Sequence, residues 1–307
     1  MSTTNQPPLL LRPSQLKSLL DDKHDVAVLD ATWFMPNSPR NGCEEFLNKR
    51  IPGARFLDLD KVASSHPLGL KHMMPSGRVF ADACESFGIN PSSHVVIYDT
   101  HGVFSSPRAL FMFRSFGHSN SSVLDGGLPM WESESYPLES GPLSEVPKTK
   151  YPTPEFNDQS IRNYDQIVKN ASLDPTVAEL VLDARSRGRY LGADPEPRPG
   201  LSSGHIPNSL SLPFSVFMNQ KPGNRDTPLF FLKNVPEIQK ALEEAVGQEK
   251  ASQIIKGEQP VITSCGSGMT AGILWLGLRL LGADRIALYD ESWTGYAMRT
   301  ESKIVKD

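Results

Sequence analysis

Five short motifs from the first half of this chain recur in the second half, in the same order. Val26-Ala27-Val28-Leu29-Asp30-Ala31 resembles Leu180-Val181-Leu182-Asp183-Ala184, and Arg50-Ile51-Pro52-Gly53-Ala54 resembles His205-Ile206-Pro207-Asn208-Ser209. Val95-Val96-Ile97-Tyr98-Asp99 resembles Val261-Ile262-Thr263-Ser264-Cys265. Phe113-Arg114-Ser115-Phe116-Gly117 resembles Leu278-Arg279-Leu280-Leu281-Gly282, and Asp125-Gly126-Gly127 with Trp131 resembles Asp290-Glu291-Ser292 with Tyr296. The offsets are 153, 155, 166, 165 and 165 residues. Kept order with little drift marks an internal duplication, so whatever fold the chain adopts must be built twice.

Each half alternates short apolar runs with amphipathic stretches. Strands are predicted at 26–30, 54–57, 94–98 and 122–124, then at 180–183, 209–212, 260–264 and 286–289. Helices are predicted at 14–20, 78–87, 105–116, 163–170, 236–246 and 269–281. Near-continuous apolar strands alternating with helices imply an α/β fold with mainly parallel sheets covered on both faces. Pro137, Pro142, Pro147, Pro152 and Pro154 punctuate the stretch between the halves, which reads as a linker. The expected organisation is a first domain over 8–137, a Pro-rich linker over 138–158 and a second domain over 159–300.

The repeat also isolates one difference. In the second half the strand run delivers Cys265 to a loop of small residues, Gly266-Ser267-Gly268, followed at once by an apolar helical pattern. Backbone N–H groups of such a loop can turn inward as an anion-binding nest, and the following helix directs its positive end to the same place. Both favour a thiolate, which is the nucleophilic form of cysteine. The first half carries Asp99 at the corresponding position. A carboxylate there would repel an anionic substrate, so the first half is expected to be catalytically silent and to serve as a wall for the second.

Composition narrows the remaining classes. The 307 residues suffice for two domains. A net charge of −4 gives no bulk attraction to nucleic acid or anionic membrane, and no apolar run is long enough to span a bilayer. Cys43, Cys84 and Cys265 are widely spaced with no CxxC, which argues against a disulfide framework or zinc ribbon and for a reducing compartment. The first basic residues are Arg12 and Lys17, with Asp21 and Asp22 close behind. Neither a secretory signal nor an Arg-rich presequence is expected from that pattern. His66 and His72 could suggest a metal, but no third ligand lies near them in sequence.

Several motifs together resemble the two-domain rhodanese-type sulfurtransferases, in their mercaptopyruvate-preferring branch. They are Asp183-Ala184-Arg185 with Gly188-Arg189, then Gly204-His205-Ile206-Pro207, then Cys265-Gly266-Ser267-Gly268-Met269-Thr270. In the first half Val95 to Asp99, Ser106-Pro107-Arg108, Phe116-Gly117-His118 and Leu124-Asp125-Gly126-Gly127 fit as well. The resemblance runs from about residue 10 to 300 and implies two tandem rhodanese-like domains. Thiosulfate-preferring relatives carry basic residues just after the cysteine, where Gly266 and Ser267 stand here. Two departures are visible: the stretch between Asp60 and His72 is one residue longer than in close relatives, and Met269 stands where valine is commoner.

The resemblance implies that Cys265 accepts a sulfane sulfur as a persulfide and that Ser267 assists proton movement. Arg189 and Arg198 would bind the substrate carboxylate and keto oxygen, while His72 and Asp60 would join Ser267 in a relay. Gly266, Gly268, Met269 and Thr270 would line the substrate. It implies no cofactor, 3-mercaptopyruvate as small-molecule sulfur donor with thiosulfate second, and thioredoxin, small thiols or cyanide as acceptors. A sulfur-carrier or thiolation protein, serving tRNA 2-thiolation or molybdenum cofactor synthesis, is the alternative acceptor. Direct nucleic-acid or membrane contact is not expected, and the compartment is the cytoplasm, with the mitochondrion as a second location.

Blander readings stand beside these. Loop arginines such as Arg189 and Arg198 are by default solvated. Arg185 reads as an ion-pair partner of the strand-end Asp183, and His205 as a turn residue. A cysteine phosphatase would need arginine six positions after the cysteine, where Ala271 stands. A serine hydrolase would need glycines flanking Ser267 at two-residue spacing, where Cys265 and Met269 stand. A non-catalytic binding module suits the half that carries Asp99 better than the half that carries Cys265.

Overall fold

The repeated apolar runs become the central strands of two separate five-stranded sheets in the computed structural model, which describes residues 6–223 and 228–307. The first sheet comprises β1 (Leu10–Leu11), β2 (Val26–Asp30), β3 (Arg55–Phe56), β4 (His94–Tyr98) and β5 (Ser121–Leu124), in the order β1-β5-β4-β2-β3. The second comprises β6 (Ile161–Arg162), β7 (Leu180–Asp183) and β8 (Leu210–Ser211). After a two-stranded ribbon, β9 (Met218–Lys221) with β10 (Leu229–Leu232), β11 (Val261–Ser264) and β12 (Ile286–Tyr289) complete it. Its order, β6-β12-β11-β7-β8, repeats the first strand for strand, and the neighbours in both sheets pair in parallel.

Parallel strands covered on both faces must be apolar on both, and they are. Val95, Val96, Ile97 and Tyr98 of β4 are fully buried, as are Val261, Ile262 and Thr263 of β11. In the first unit Val28, Val96, Tyr98 and Leu124 pack with Leu16 and Trp131. In the second, Val181, Ile262 and Tyr289 pack with Ile167, Trp293 and Tyr296. The predicted strand positions all coincide with observed strands within two residues.

The first unit's helices are α1 (Pro13–Asp21), α2 (Gly42–Asn48), α3 (Gly77–Ser86), α4 (Ser106–Ser115) and α5 (Gly127–Ser133). The second unit's are α6 (Tyr164–Ala171), α7 (Arg187–Leu191), α8 (Val235–Val246), α9 (Gln248–Ile255), α10 (Ala271–Leu280) and α11 (Ser292–Ala297). The six predicted helices correspond to α1, α3, α4, α6, α8 and α10. Local chemistry starts several of them: Ser76 caps α3, and Asn163–Gln166 and Asn234–Glu237 form capping boxes on α6 and α8. The helices without a prediction are mostly one or two turns long. The six-residue α11 has no side-chain cap, so neither periodicity nor a start signal announces it.

The units are not contiguous in sequence. The first takes the chain up to Ser64, Met74–Phe156 and Gln220–Leu232; the second takes Ser65–Met73, Asn157–Asn219 and Lys233–Asp307. The Pro-rich stretch as far as Phe156 therefore belongs to the first unit. Its tie is visible in the buried guanidinium of Arg50, which donates to Glu139 Oε1 at 2.5 Å and to the Gly141 carbonyl at 2.9 Å. Tyr151, also buried, meets His118 Nδ1 through its hydroxyl at 2.8 Å. No helix among the described residues is long and apolar enough to cross a membrane.

Candidate active site

Cys265 stands at the C-terminal end of β11, the middle strand of the second sheet, where parallel α/β sheets present their loops to ligands. The residue is 1% exposed, and its Sγ receives the Gly268 N–H at 3.2 Å. Gly268 has φ +84, a conformation that glycine reaches freely and that turns this amide back toward the sulfur.

Three successive carbonyls of the same loop are each held by a donor. Cys265 C=O accepts the Trp293 N–H at 2.9 Å, and Gly266 C=O accepts the N–H of Thr294 at 2.9 Å and its hydroxyl at 2.6 Å. His72 Nε2 lies 2.8 Å from Ser267 O and donates to it in the Nε2–H tautomer. With three successive carbonyls engaged, it is the Gly268 amide that faces the sulfur, where it favours a negative charge.

Arg189 and Arg198 converge on the loop from the α7 segment. A Cβ built on Gly266 would lie 3.1 Å from Arg189 Nη2 and 3.6 Å from Arg198 Nη1. Arg189 is held by a chain of buried charges. Glu196 accepts from Arg189 Nε at 3.1 Å and Nη2 at 2.6 Å, and from Arg185 Nη1 at 2.9 Å. Arg185 Nη2 in turn donates to Asp183 at 2.5 Å and to the Gly204 carbonyl at 2.6 Å, and its guanidinium stacks over Trp293 at 4.1 Å. The Asp183, Arg185 and Glu196 side chains are at most 3% exposed, whereas Arg189 keeps 20%. The accessible end of this chain is thus the guanidinium beside the cysteine loop, where it can take a carboxylate.

Of the residues singled out from sequence, Cys265, Gly266, Ser267, Gly268, Met269, Thr270, Arg189, Arg198 and His72 all belong to the second unit. Met269 is buried behind the loop, and Thr270 leads directly into α10. His72 comes from the first half of the chain but lies in the segment assigned to the second unit. Its ring meets the Ser267 main-chain oxygen at that 2.8 Å distance. Asp60 belongs to the first unit, where its N–H donates to Asp58 Oδ1 at 3.0 Å and its Oδ2 accepts the Trp33 indole N–H at 3.4 Å. Arg185 is an ion-pair residue, and His205 stacks on Tyr190 with 4.0 Å between ring centroids.

Residues that sequence reading missed are Glu196, Ser292 and Thr294. Glu196 lies between the two arginines in sequence, and Ser292 interrupts a repeat that has Gly127 in the first half. The other cysteines are differently placed: Cys43 is exposed, while burial pushes the Cys84 thiol far up, out of the reactive range. Among the described residues, no group of three or more His, Cys, Asp or Glu is placed to hold a metal.

A model of the rhodanese-like domain matches the chain twice, at residues 12–134 and 165–299. The probable 3-mercaptopyruvate sulfurtransferase of Schizosaccharomyces pombe is 35% identical, over 92% of this chain and 90% of its own. The 3-mercaptopyruvate sulfurtransferase of Rattus norvegicus is 38% identical, over 91% of this chain and 88% of its own. Among solved structures, the sub-stoichiometric sulfur transferase subunit of yeast mitochondrial complex I superposes with a TM-score of 0.81 at 30% identity, covering 98% of this chain and 100% of that one. With two matched domains, repeated sheets and full-length relatives, the chain belongs to the rhodanese family, as a two-domain member alongside the 3-mercaptopyruvate sulfurtransferases.

Proposed function

We propose that this protein is a sulfurtransferase that takes sulfur from 3-mercaptopyruvate onto Cys265 and passes it to a thiol. The observation that carries this reading is the approach of both Arg189 and Arg198 to Gly266, one residue from the nucleophile. Two guanidinium groups suit a small α-keto carboxylate, one for the carboxylate and one for the keto oxygen.

The chemistry follows from that placement. The Cys265 thiolate attacks the substrate sulfur, a sulfur–sulfur bond forms and the substrate carbon–sulfur bond breaks. The electron pair leaves on carbon as the enolate of pyruvate, which the two arginines stabilise and which then takes a proton. Ser267, two residues on in the loop, supplies it in this reading, and His72 holds the Ser267 carbonyl and with it the loop's orientation. The amide of Gly268 stabilises the persulfide charge. A second thiolate removes the outer sulfur and restores Cys265, giving ping-pong kinetics. Thiosulfate is a secondary donor.

A second reading concerns the acceptor. The similarity to a sulfur transferase subunit of a respiratory complex favours delivery to a protein thiol, with thioredoxin or small thiols as the alternative and the mitochondrion beside the cytoplasm as location.

The test is intact-protein mass after brief exposure to 3-mercaptopyruvate, and separately to thiosulfate, for wild type and Cys265→Ser. A thiol-reversible gain of one sulfur, about 32 Da, on wild type only is the expected result. No adduct from either donor, or an adduct on Cys265→Ser, overturns the reading.

A further inference from the structure

Five non-glycine residues among those described have a positive φ, and two of them hydrogen-bond directly to the Cys265 loop: His72 (φ 48) and Ser292 (φ 50). For Ser292 the duplication supplies an internal control. Its counterpart is Gly127, with φ 52. This backbone suits glycine and is strained for serine, and strain kept at a buried position points to a use for the side chain.

The two units use the position differently. A Cβ on Gly127 would fall 2.1 Å from the Asp99 carbonyl oxygen and 2.9 Å from that of Gly102, so the first unit has no room for a side chain there. Ser292 is fully buried, and its Oγ accepts the Cys265 N–H at 3.2 Å while donating to the Tyr289 carbonyl at 2.9 Å. The following amide acts alike in both units: Trp293 N–H donates to Cys265 O at 2.9 Å, and Leu128 N–H to Asp99 O at 3.1 Å. Both units therefore hold the carbonyl side of the first loop residue. The hydroxyl that holds its amide side is present in the unit that carries cysteine and is replaced by glycine in the other.

We propose that Ser292 is a positioning residue for Cys265. Its hydroxyl and the Trp293 amide grip the two peptide groups that flank the Cys265 Cα. With both peptide planes fixed, the sulfur's position depends on the side-chain torsion alone, and Sγ is held within reach of the Gly268 amide. Without the hydroxyl, the Ser264–Cys265 peptide is free to tilt and the sulfur leaves its receiving geometry for part of the time. The inference rests on the reading of Cys265 as the sulfur-carrying nucleophile.

The test uses Ser292→Gly and Ser292→Ala in the full chain. Three quantities are read: the initial rate of sulfur gain from 3-mercaptopyruvate, the pH midpoint of iodoacetamide alkylation at the Cys265 peptide, and the thermal midpoint. Both variants are expected to load roughly tenfold more slowly, the effect of losing one hydrogen bond at a buried site. Their alkylation midpoints move to higher pH as the sulfur loses its amide partner. Ser292→Gly melts above Ser292→Ala, because glycine relieves the backbone strain that alanine keeps. Wild-type loading by Ser292→Gly, an unmoved alkylation midpoint, or loss of fold in Ser292→Gly overturns the positioning role. A wild type that gains no sulfur overturns the nucleophile reading instead, and the alkylation midpoint still decides whether Ser292 positions the thiol.

Discussion

Oδ2 of Asp99 accepts both the amide of Ser106, at 2.9 Å, and its hydroxyl, at 2.6 Å. The same oxygen takes the amides of Phe104 and Ser105 at 2.8 and 3.0 Å, and Oδ1 takes that of His101 at 2.9 Å. The Asp99 loop thus turns its own carboxylate onto the amides of the residues that follow it, at the position where the second unit carries Cys265. Asp99 acts as a built-in anion, which satisfies buried donors that would otherwise be stranded.

Asp99→Cys should therefore lose stability without acquiring activity. Removing an acceptor of five hydrogen bonds at a fully buried site costs about 2–4 kcal/mol, seen as a lower midpoint in urea. That loop has no serine hydroxyl equivalent to Ser292, since Gly127 stands at the corresponding position. Mass after 3-mercaptopyruvate should show one added sulfur per chain, and two would refute this account.

Donor choice should respond differently to the two residues after the nucleophile. Gly266 faces both arginines, so even Gly266→Ala crowds Arg189 Nη2, 3.1 Å from the new Cβ. The expected outcome is a raised KM for 3-mercaptopyruvate with a smaller change in kcat. Ser267→Lys adds a cation one residue further along the loop and should raise kcat/KM for thiosulfate, a dianion, relative to 3-mercaptopyruvate. A donor ratio unchanged in Ser267→Lys would remove this loop as the selector.

A pH effect on stability should arise in the first unit. Asp183 has Arg185 beside it, but at the matching position Asp30 has Thr32, whose amide donates to Asp30 Oδ1 at 2.9 Å. Burial without a cation raises Asp30 from 3.8 to about 7. The folded chain therefore holds this proton more tightly than the unfolded chain. The resulting stability is complete below the unfolded value and is lost as pH rises through about 7. Asp30→Asn keeps the acceptor and removes the titration. Its advantage over wild type should widen by up to roughly 1.4 kcal/mol per pH unit between about pH 5 and 7. Parallel stability curves over that range would disprove the assignment.

How far the sequence carries depends on the distance over which each feature is decided. Strands β2–β5, β7, β8, β11 and β12 and helices α1, α3, α4, α6, α8 and α10 were legible because their burial writes a local period, whereas β1, β6 and the ribbon strands β9 and β10 carried no such signal. The duplication was legible because the two halves keep their apolar runs in register. Cys265 stood out because the repeat puts Asp99 in its place, and that contrast needs no coordinates. By itself, then, the sequence determined the α/β class, the doubling, and which half carries the loop cysteine Cys265. Tertiary structure alone decided the rest. It decided that Glu196 ties Arg189 to a buried chain ending at Asp183, and that His72, from the first half, belongs to the second unit and bonds Ser267. It also decided that a strained serine in a six-residue helix holds the Cys265 amide. Apart from Arg185 and Asp183, which are two residues apart and readable as a pair, these contacts join residues 7 to 195 positions apart. No local pattern encodes them, because they exist only once packing has brought their partners together.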